Sequence, residues 1–324
     1  MQEHQQQILR AVTAVSKYPI RNFYFVACGG SLAVLMPGQY LIEQETEFPA
    51  FAYSSAEFTQ RNPKALGPGS VVILCSTSGN TPETVAAAKF AREKGALTIG
   101  FSHLVDSPLW QEAEYRIHYS TGDEAEVNEY SNALLYRLLF AILDELQPDP
   151  KYKKMIYGIL EVYPRNLKQT LEKYKEWAED LGKAWKREPI IYTMSSGITY
   201  PVAYSFAICI LMEMQWIHSQ ALHSGEFFHG PFEITDFDVP MIILKNIEND
   251  GRLEARAIAF TQKFSDKITV VDTSEFCYDG IEENLKKYFA PLIAAPVLRL
   301  FATELAEQRG HPLSVRRYMW KMKY

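Results

Sequence analysis

Two stretches of this chain carry side chains whose types and spacing could do chemistry. The first is Ser76-Thr77-Ser78-Gly79-Asn80-Thr81, followed by Pro82 and Glu83. A capping threonine, a first-turn proline and an early acid mark the start of a helix. A hydroxyl-rich loop feeding a helix N-terminus suits an anion, because free backbone N–H groups and the helix dipole point at it. A second loop of the same kind, Cys28-Gly29-Gly30-Ser31, adds Ser31. Neither loop contains a lysine, and the spacing is not that of a nucleotide P-loop. The pattern suits a phosphomonoester. One such loop alone would read more plainly as a turn and a cap. Two loops leaving one sheet edge weigh against that plainer reading and leave Ser31, Ser76, Thr77, Ser78 and Thr81 as candidate phosphate ligands.

The second stretch, residues 213–232, reads E-M-Q-W-I-H-S-Q-A-L-H-S-G-E-F-F-H-G-P-F. Glu213 ends a very apolar run, A-I-C-I-L-M-E-M. A carboxylate there is costly unless it is partnered or functional, which makes Glu213 a candidate general base. The plainer alternative is an ion pair with an arginine. His229 precedes Gly230-Pro231, so a tight turn presents its imidazole for proton transfer; a surface or capping histidine is the alternative. His218 and His223 stay open between packing and function. The spacing of residues 218, 223 and 229 does not match the helical i, i+4 pair of zinc enzymes. No metal and no cofactor are expected.

These residues need elements to position them. Residues 22–27, 70–75, 96–101 and 114–119 read as buried strands, with a further strand at 50–53 and helices between them. Strands alternating with helices imply a parallel sheet with right-handed crossovers. A helical section follows over 126–145 and 151–185. The strand–loop–helix plan then restarts, with strands at 189–194, 239–244 and 268–271, a short extended piece at 221–223, and a closing helix at 290–308. In such sheets ligands bind at the carboxyl ends of the strands. Y-F-V-A-C-G-G-S in the first half aligns loosely with I-Y-T-M-S-S-G-I in the second, so the plan is a tandem pair. We place the first domain at residues 1–150 and the helical connector, second domain and tail at 151–324.

The chain has 324 residues, 47% hydrophobic and 22% charged, with a net charge of -6. That length suits two domains. The acidic balance gives no general attraction for nucleic acid or for an anionic membrane, so an anion must be held by local groups. No apolar run approaches the roughly 20 residues of a membrane span. Residues 1–15 lack the apolar core of a signal peptide. The four cysteines are spread out, and three lie in apolar runs, as expected of reduced thiols in the cytoplasm.

F-V-A-C-G-G-S, C-S-T-S-G-N-T-P-E-T and S-G-E-F-F-H-G-P together resemble the sugar isomerase (SIS) domain family. The tandem arrangement is similar to the isomerase half of glucosamine-6-phosphate synthase. H-S-G-E-F-F-H-G-P-F-E-I, M-E-M-Q-W-I-H and the ending R-R-Y-M-W-K resemble more closely the fructosamine-6-phosphate deglycases, over essentially the whole chain. The resemblance implies two tandem α/β domains, each a three-layer αβα sandwich of flavodoxin-like order. It implies Ser31, Ser76, Thr77, Ser78 and Thr81 on a sugar phosphate, Glu213 as catalytic base and His229 as the loop histidine. It also implies a homodimer that shares its site between subunits, and hydrolysis of a fructosamine 6-phosphate. An aldose–ketose isomerase, an aminosugar-phosphate deaminase and a non-catalytic phosphosugar sensor are the alternatives. Phe206 and Ile210 stand where the synthase carries a glutamate and a lysine, so the implied chemistry does without that lysine. Arg316 and Arg317 in the tail could meet a substrate carboxylate or simply be solvated.

Overall fold

The computed structural model describes residues 2–122 and 124–322. The chain divides into two compact units, Met1–Pro164 and Arg165–Tyr324.

In the first unit five parallel strands, β1 (Asn22–Ala27), β2 (Ala50–Ser54), β3 (Ser70–Cys75), β4 (Leu97–Ser102) and β5 (Tyr115–His118), stand in the order β2-β1-β3-β4-β5. Every residue of β1, β3 and β4 is buried, as near-continuous apolar strands covered on both faces must be. Helices α1 (Gln2–Ser16), α2 (Gly29–Glu45) and α6 (Ser131–Leu146) pack together on one face, with α7 (Pro150–Tyr157) on α6. The other face carries α3 (Ser55–Arg61), α4 (Pro82–Glu93) and α5 (Pro108–Glu112). The period of two puts Tyr24, Val26, Val72 and Leu74 against Ala87, Ala88 and Ala91 of α4. On the opposite face α2 meets β1 so closely that a Cβ at Gly38 would overlap the buried Phe25 ring.

A π-helical turn (Gly158–Val162) leads into α8 (Tyr163–Trp185), and the second unit repeats the plan with four parallel strands. These are β6 (Tyr192–Ser195), β7 (Ala221–His223), β8 (Met241–Lys245) and β9 (Ile268–Asp272), in the order β7-β6-β8-β9. Its helices include α9 (Tyr200–Ser205), α10 (Arg252–Phe264) and α11 (Lys286–Arg309). Two parallel sheets flanked by helices, the first with the strand order of the flavodoxin plan, give the tandem α/β architecture expected above. Contrary to the expectation from sequence, two helical stretches, Gly197–Met214 and Glu283–Arg309, reach membrane-span length and hydropathy. The second is a core helix, with Phe289, Ile293, Val297, Phe301 and Leu305 buried.

The helix that follows β6 changes in kind along its length. After α9 the backbone continues as a π-helix over Phe206–Met214. Gln215 N–H bonds Ile210 O at 2.9 Å and Ile217 N–H bonds Leu211 O at 2.9 Å, five and six residues back instead of four. Insertions of this kind recur at functional sites, and this one carries Glu213.

Gly38→Ala tests the α2–β1 contact. Alanine adds up to ~1 kcal/mol of helix propensity, but overpacking a closed core costs about 1–3 kcal/mol. We expect a net loss of stability of about 1 kcal/mol or more, seen as a lower urea midpoint at unchanged slope.

Candidate active site

The first unit reverses its strand order between β1 and β3, and the two hydroxyl-rich loops leave the carboxyl ends of those two strands. That is the crevice where ligands bind in open α/β sheets. Gly29 (φ +52°) makes the first turn, and Ser31 lies in the opening turn of α2. Gly79 (φ +64°) makes the second, with its Cα so close to Ser107 that no larger side chain fits. The loops are tied together beneath their surface: Thr84 Oγ1 donates to Cys28 Sγ at 3.9 Å and bonds Ser55 Oγ at 2.9 Å.

Thr81 stands at the N-cap of α4, but its hydroxyl does not close back onto the helix. It bonds the buried Ser76 Oγ at 2.9 Å instead. Cys28, at the N-cap of α2, provides no side-chain cap either. Both helix N-termini at the crevice therefore lack the side-chain acceptor that usually satisfies them. The outermost hydroxyls, Thr77 and Ser78, are exposed. Thr77 is held from below: Tyr119 O–H donates to its Oγ1 at 2.8 Å, and His103 N–H donates to its carbonyl at 3.1 Å. An oxygen that accepts from Tyr119 keeps its own hydrogen free to donate outward. Under the loop, burial pushes the Cys75 thiol up to about 11, partly offset by hydrogen bonds with Ser31 and Tyr119. Cys75 is thus a neutral packing residue at physiological pH. Ser31, Ser76, Thr77, Ser78 and Thr81 all lie on or beside these two loops. Tyr119 and His103, which brace them, gave no signal in the sequence.

The second unit has the same crevice between β6 and β8, but its own side chains fill it. Glu254, in the first turn of α10 and 1% exposed, accepts from Ser196 Oγ at 2.5 Å and from Asn246 N–H at 3.5 Å. Asn246 in turn donates to Ser196 O at 2.6 Å and accepts from Thr199 Oγ1 at 2.9 Å.

Glu213 lines a cavity of about 650 Å³ with Met212, Trp216, His218 and tail residues that include Arg316 and Arg317. The arginine partner considered as the plainer alternative is present: Arg316 Nε lies 2.8 Å from Glu213 Oε1. Arg316 is 7% exposed, and its Nη1 also donates to the carbonyls of Leu313 and Val315. The ion pair does not seal the carboxylate away; Glu213 keeps 23% exposure towards the cavity. His229 sits on a separate exposed turn of the same unit. Phe227, Phe228 and Phe232 anchor that turn on Phe260 with ring centroids 5.6–6.0 Å apart. Its backbone closes through His229 N–H to Glu226 O, and Gly230 adopts φ +138°. The His229 ring has no hydrogen-bond partner among the described residues. His223, left open above, packs on Tyr200 and accepts from Gly225 N–H at 3.1 Å, a turn-closing role.

These features define a SIS-domain protein: the SIS domain model matches residues 18–143. The fructosamine deglycase FrlB of Bacillus subtilis (strain 168) is 50% identical over 309 residues, 94% of this chain and 93% of its own. The fructoselysine 6-phosphate deglycase of Escherichia coli (strain K12) is 30% identical over 307 residues, 95% and 88%. A solved Bacillus subtilis structure described as a phosphosugar isomerase superposes with TM-score 0.94 at 46% identity, with full coverage of both chains. The C-terminal domain of glucosamine-fructose-6-phosphate aminotransferase from Francisella tularensis shares the fold, with TM-score 0.78 at 16% identity over 96% of this chain and 97% of that one. The chain belongs to the fructosamine deglycase branch of the SIS-domain family.

Tyr119→Phe keeps the ring and removes the bond to Thr77 Oγ1. A neutral hydrogen bond contributes about 1 kcal/mol, so affinity for glucose 6-phosphate should fall about fivefold by calorimetry, with the melting temperature little changed. Unaltered affinity would remove Thr77 from the phosphate ligands.

Proposed function

We propose that the protein is a deglycase that hydrolyses a fructosamine 6-phosphate, an Amadori adduct, to glucose 6-phosphate and a free amine or amino acid. The observation that carries this is Glu213, a carboxylate at the open wall of a cavity on a π-helical segment, in a chain half identical to a fructosamine deglycase. The phosphate of the substrate engages Ser31, Ser76, Thr77, Ser78 and Thr81. Binding a group remote from the reaction orients the reacting carbons. His229 moves the proton that opens the sugar ring. Glu213 removes a proton from C1 to give the enaminol and returns one to C2. The resulting aldimine adds water and releases the amine. Both steps are general acid–base chemistry and call for no cofactor. Arg316 fixes the direction in which the Glu213 carboxylate points. The four cysteines are thiols and not disulfides, in keeping with a cytoplasmic enzyme.

We also propose a homodimer in which the turn bearing His229 serves the neighbouring subunit's site. Ile234 and Phe237, just beyond that turn, are 39% and 63% exposed, an apolar surface suited to a second copy.

Glu213→Gln should lower release of glucose 6-phosphate from a fructosamine 6-phosphate by about 10²–10⁴-fold, measured with a coupled dehydrogenase assay. Near wild-type turnover would refute the role of Glu213. If the site is shared, mixing Glu213→Gln with His229→Ala subunits restores activity, up to about a quarter of wild type for random dimers with one intact site in each mixed pair. Two inactive variants that stay inactive after subunit exchange would refute sharing.

A further inference from the structure

The cavity at Glu213 has an aromatic and thioether wall and one cation to spare. Among the described residues its lining contains one carboxylate, Glu213, and two guanidinium groups, Arg316 and Arg317. Arg316 is committed to Glu213 and to two backbone carbonyls. Arg317 has no ion-pair partner among the described residues. Its Cζ lies 4.3 Å from the centre of the Trp216 ring.

Trp216 is itself held in place. It adopts φ +56°, a conformation rare for a bulky residue, at the end of the π-helical segment. The adjoining bonds from Gln215 N–H to Ile210 O and from Ile217 N–H to Leu211 O fix that backbone. His311 packs edge-on to the indole at 4.4 Å, and Gln215 Nε2 donates to His311 O at 2.8 Å. A guanidinium stacked on an aromatic ring uses its face for the stack and keeps its in-plane N–H fork free. That fork matches a carboxylate bidentately.

This inference rests on the deglycase reading. There the amine nitrogen is bonded to C1, the carbon whose proton Glu213 takes. The amine substituent therefore begins beside Glu213 and must lie along the walls of this cavity. We infer that Arg317, stacked on Trp216, receives the carboxylate of a glycated amino acid, so that the preferred substrate carries a free carboxylate on its amine. An ammonium-ended or uncharged amine would leave the Arg317 fork unmatched, and an ammonium would also meet a like charge.

The test compares two substrates that differ only in that group: the fructosamine 6-phosphates of glycine and of glycinamide. A hydrogen-bonded charge pair of this kind corresponds to about a ten- to hundredfold difference. The wild-type enzyme should favour the glycine adduct in kcat/KM by that factor. In Arg317→Ala the ratio should collapse towards one, and Arg317→Lys, which keeps the charge without the fork, should give an intermediate ratio. A wild-type enzyme indifferent to the carboxylate, or an Arg317→Ala enzyme that keeps the full preference, overturns the subsite and leaves the deglycase reading standing. Release of glucose 6-phosphate from neither adduct overturns the deglycase reading and the subsite with it.

Discussion

A parallel sheet that reverses its strand order opens a crevice at its carboxyl edge, and the polar groups converging there need an acceptor. That requirement organises both halves of this chain, and each half meets it differently. In the first, Thr81 turns its hydroxyl to Ser76, Cys28 offers no cap, and Tyr119 takes up one side of Thr77. What is left pointing outward is a set of donors, suited to the phosphate of a substrate. In the second, Glu254 enters the corresponding crevice and accepts from Ser196 and Asn246. One sheet leaves its crevice unfilled by any described side-chain carboxylate, and the other is closed by Glu254. Buried polar groups must be paired, so a crevice of this kind must either be filled internally or kept for a ligand.

The closure of the second crevice explains where chemistry can sit in that unit. With the sheet edge occupied, the cavity-lining carboxylate Glu213 lies elsewhere, on the π-helical segment before β7. A π-helix shifts the hydrogen-bond ladder by one residue and rotates the side chains beyond it. Here it ends with Trp216 at positive φ and with Glu213 on the wall of the cavity formed with the tail. The unit's aromatic density serves positioning in the same way. Phe227, Phe228 and Phe232 brace the turn that presents His229, while Trp216 braces Arg317.

Much of this was legible in the sequence, for identifiable reasons. The strands 22–27 and 70–75 are continuous apolar runs ended by glycine and hydroxyl residues, and fully buried parallel strands produce that signal. The loop 76–81 stood out because a second loop of the same kind leaves the same sheet edge; alone, its residues read as a turn and a cap. Glu213 stood out because a carboxylate in an apolar run needs a reason. What stayed hidden depends on contacts between distant residues or on backbone detail without a compositional mark. Tyr119 reaches Thr77 across 42 positions. Arg316 meets Glu213 only because the tail folds back over the end of the π-helical segment. Glu254 looked like an ordinary first-turn acid. The π-helical segment itself has the composition of a buried α-helix.

The Glu213–Arg316 contact shows why an ion pair and a catalytic role are not exclusive readings of a half-buried acid. The carboxylate is held by a guanidinium that is itself buried and fixed by two carbonyls, so its direction is set before any substrate arrives. Its remaining exposure faces the cavity. A base fixed by a partner on one side and open on the other is preorganised, and misplacement of about 1 Å in such a group can cost about 100-fold in rate. On this view the tail is part of the site's construction. Arg316 holds the Glu213 carboxylate, and Arg317, one residue further on, lies over Trp216 in the lining of the same cavity. Under the proposed reaction the two consecutive arginines would divide the work between the reacting carbon and the group attached to it.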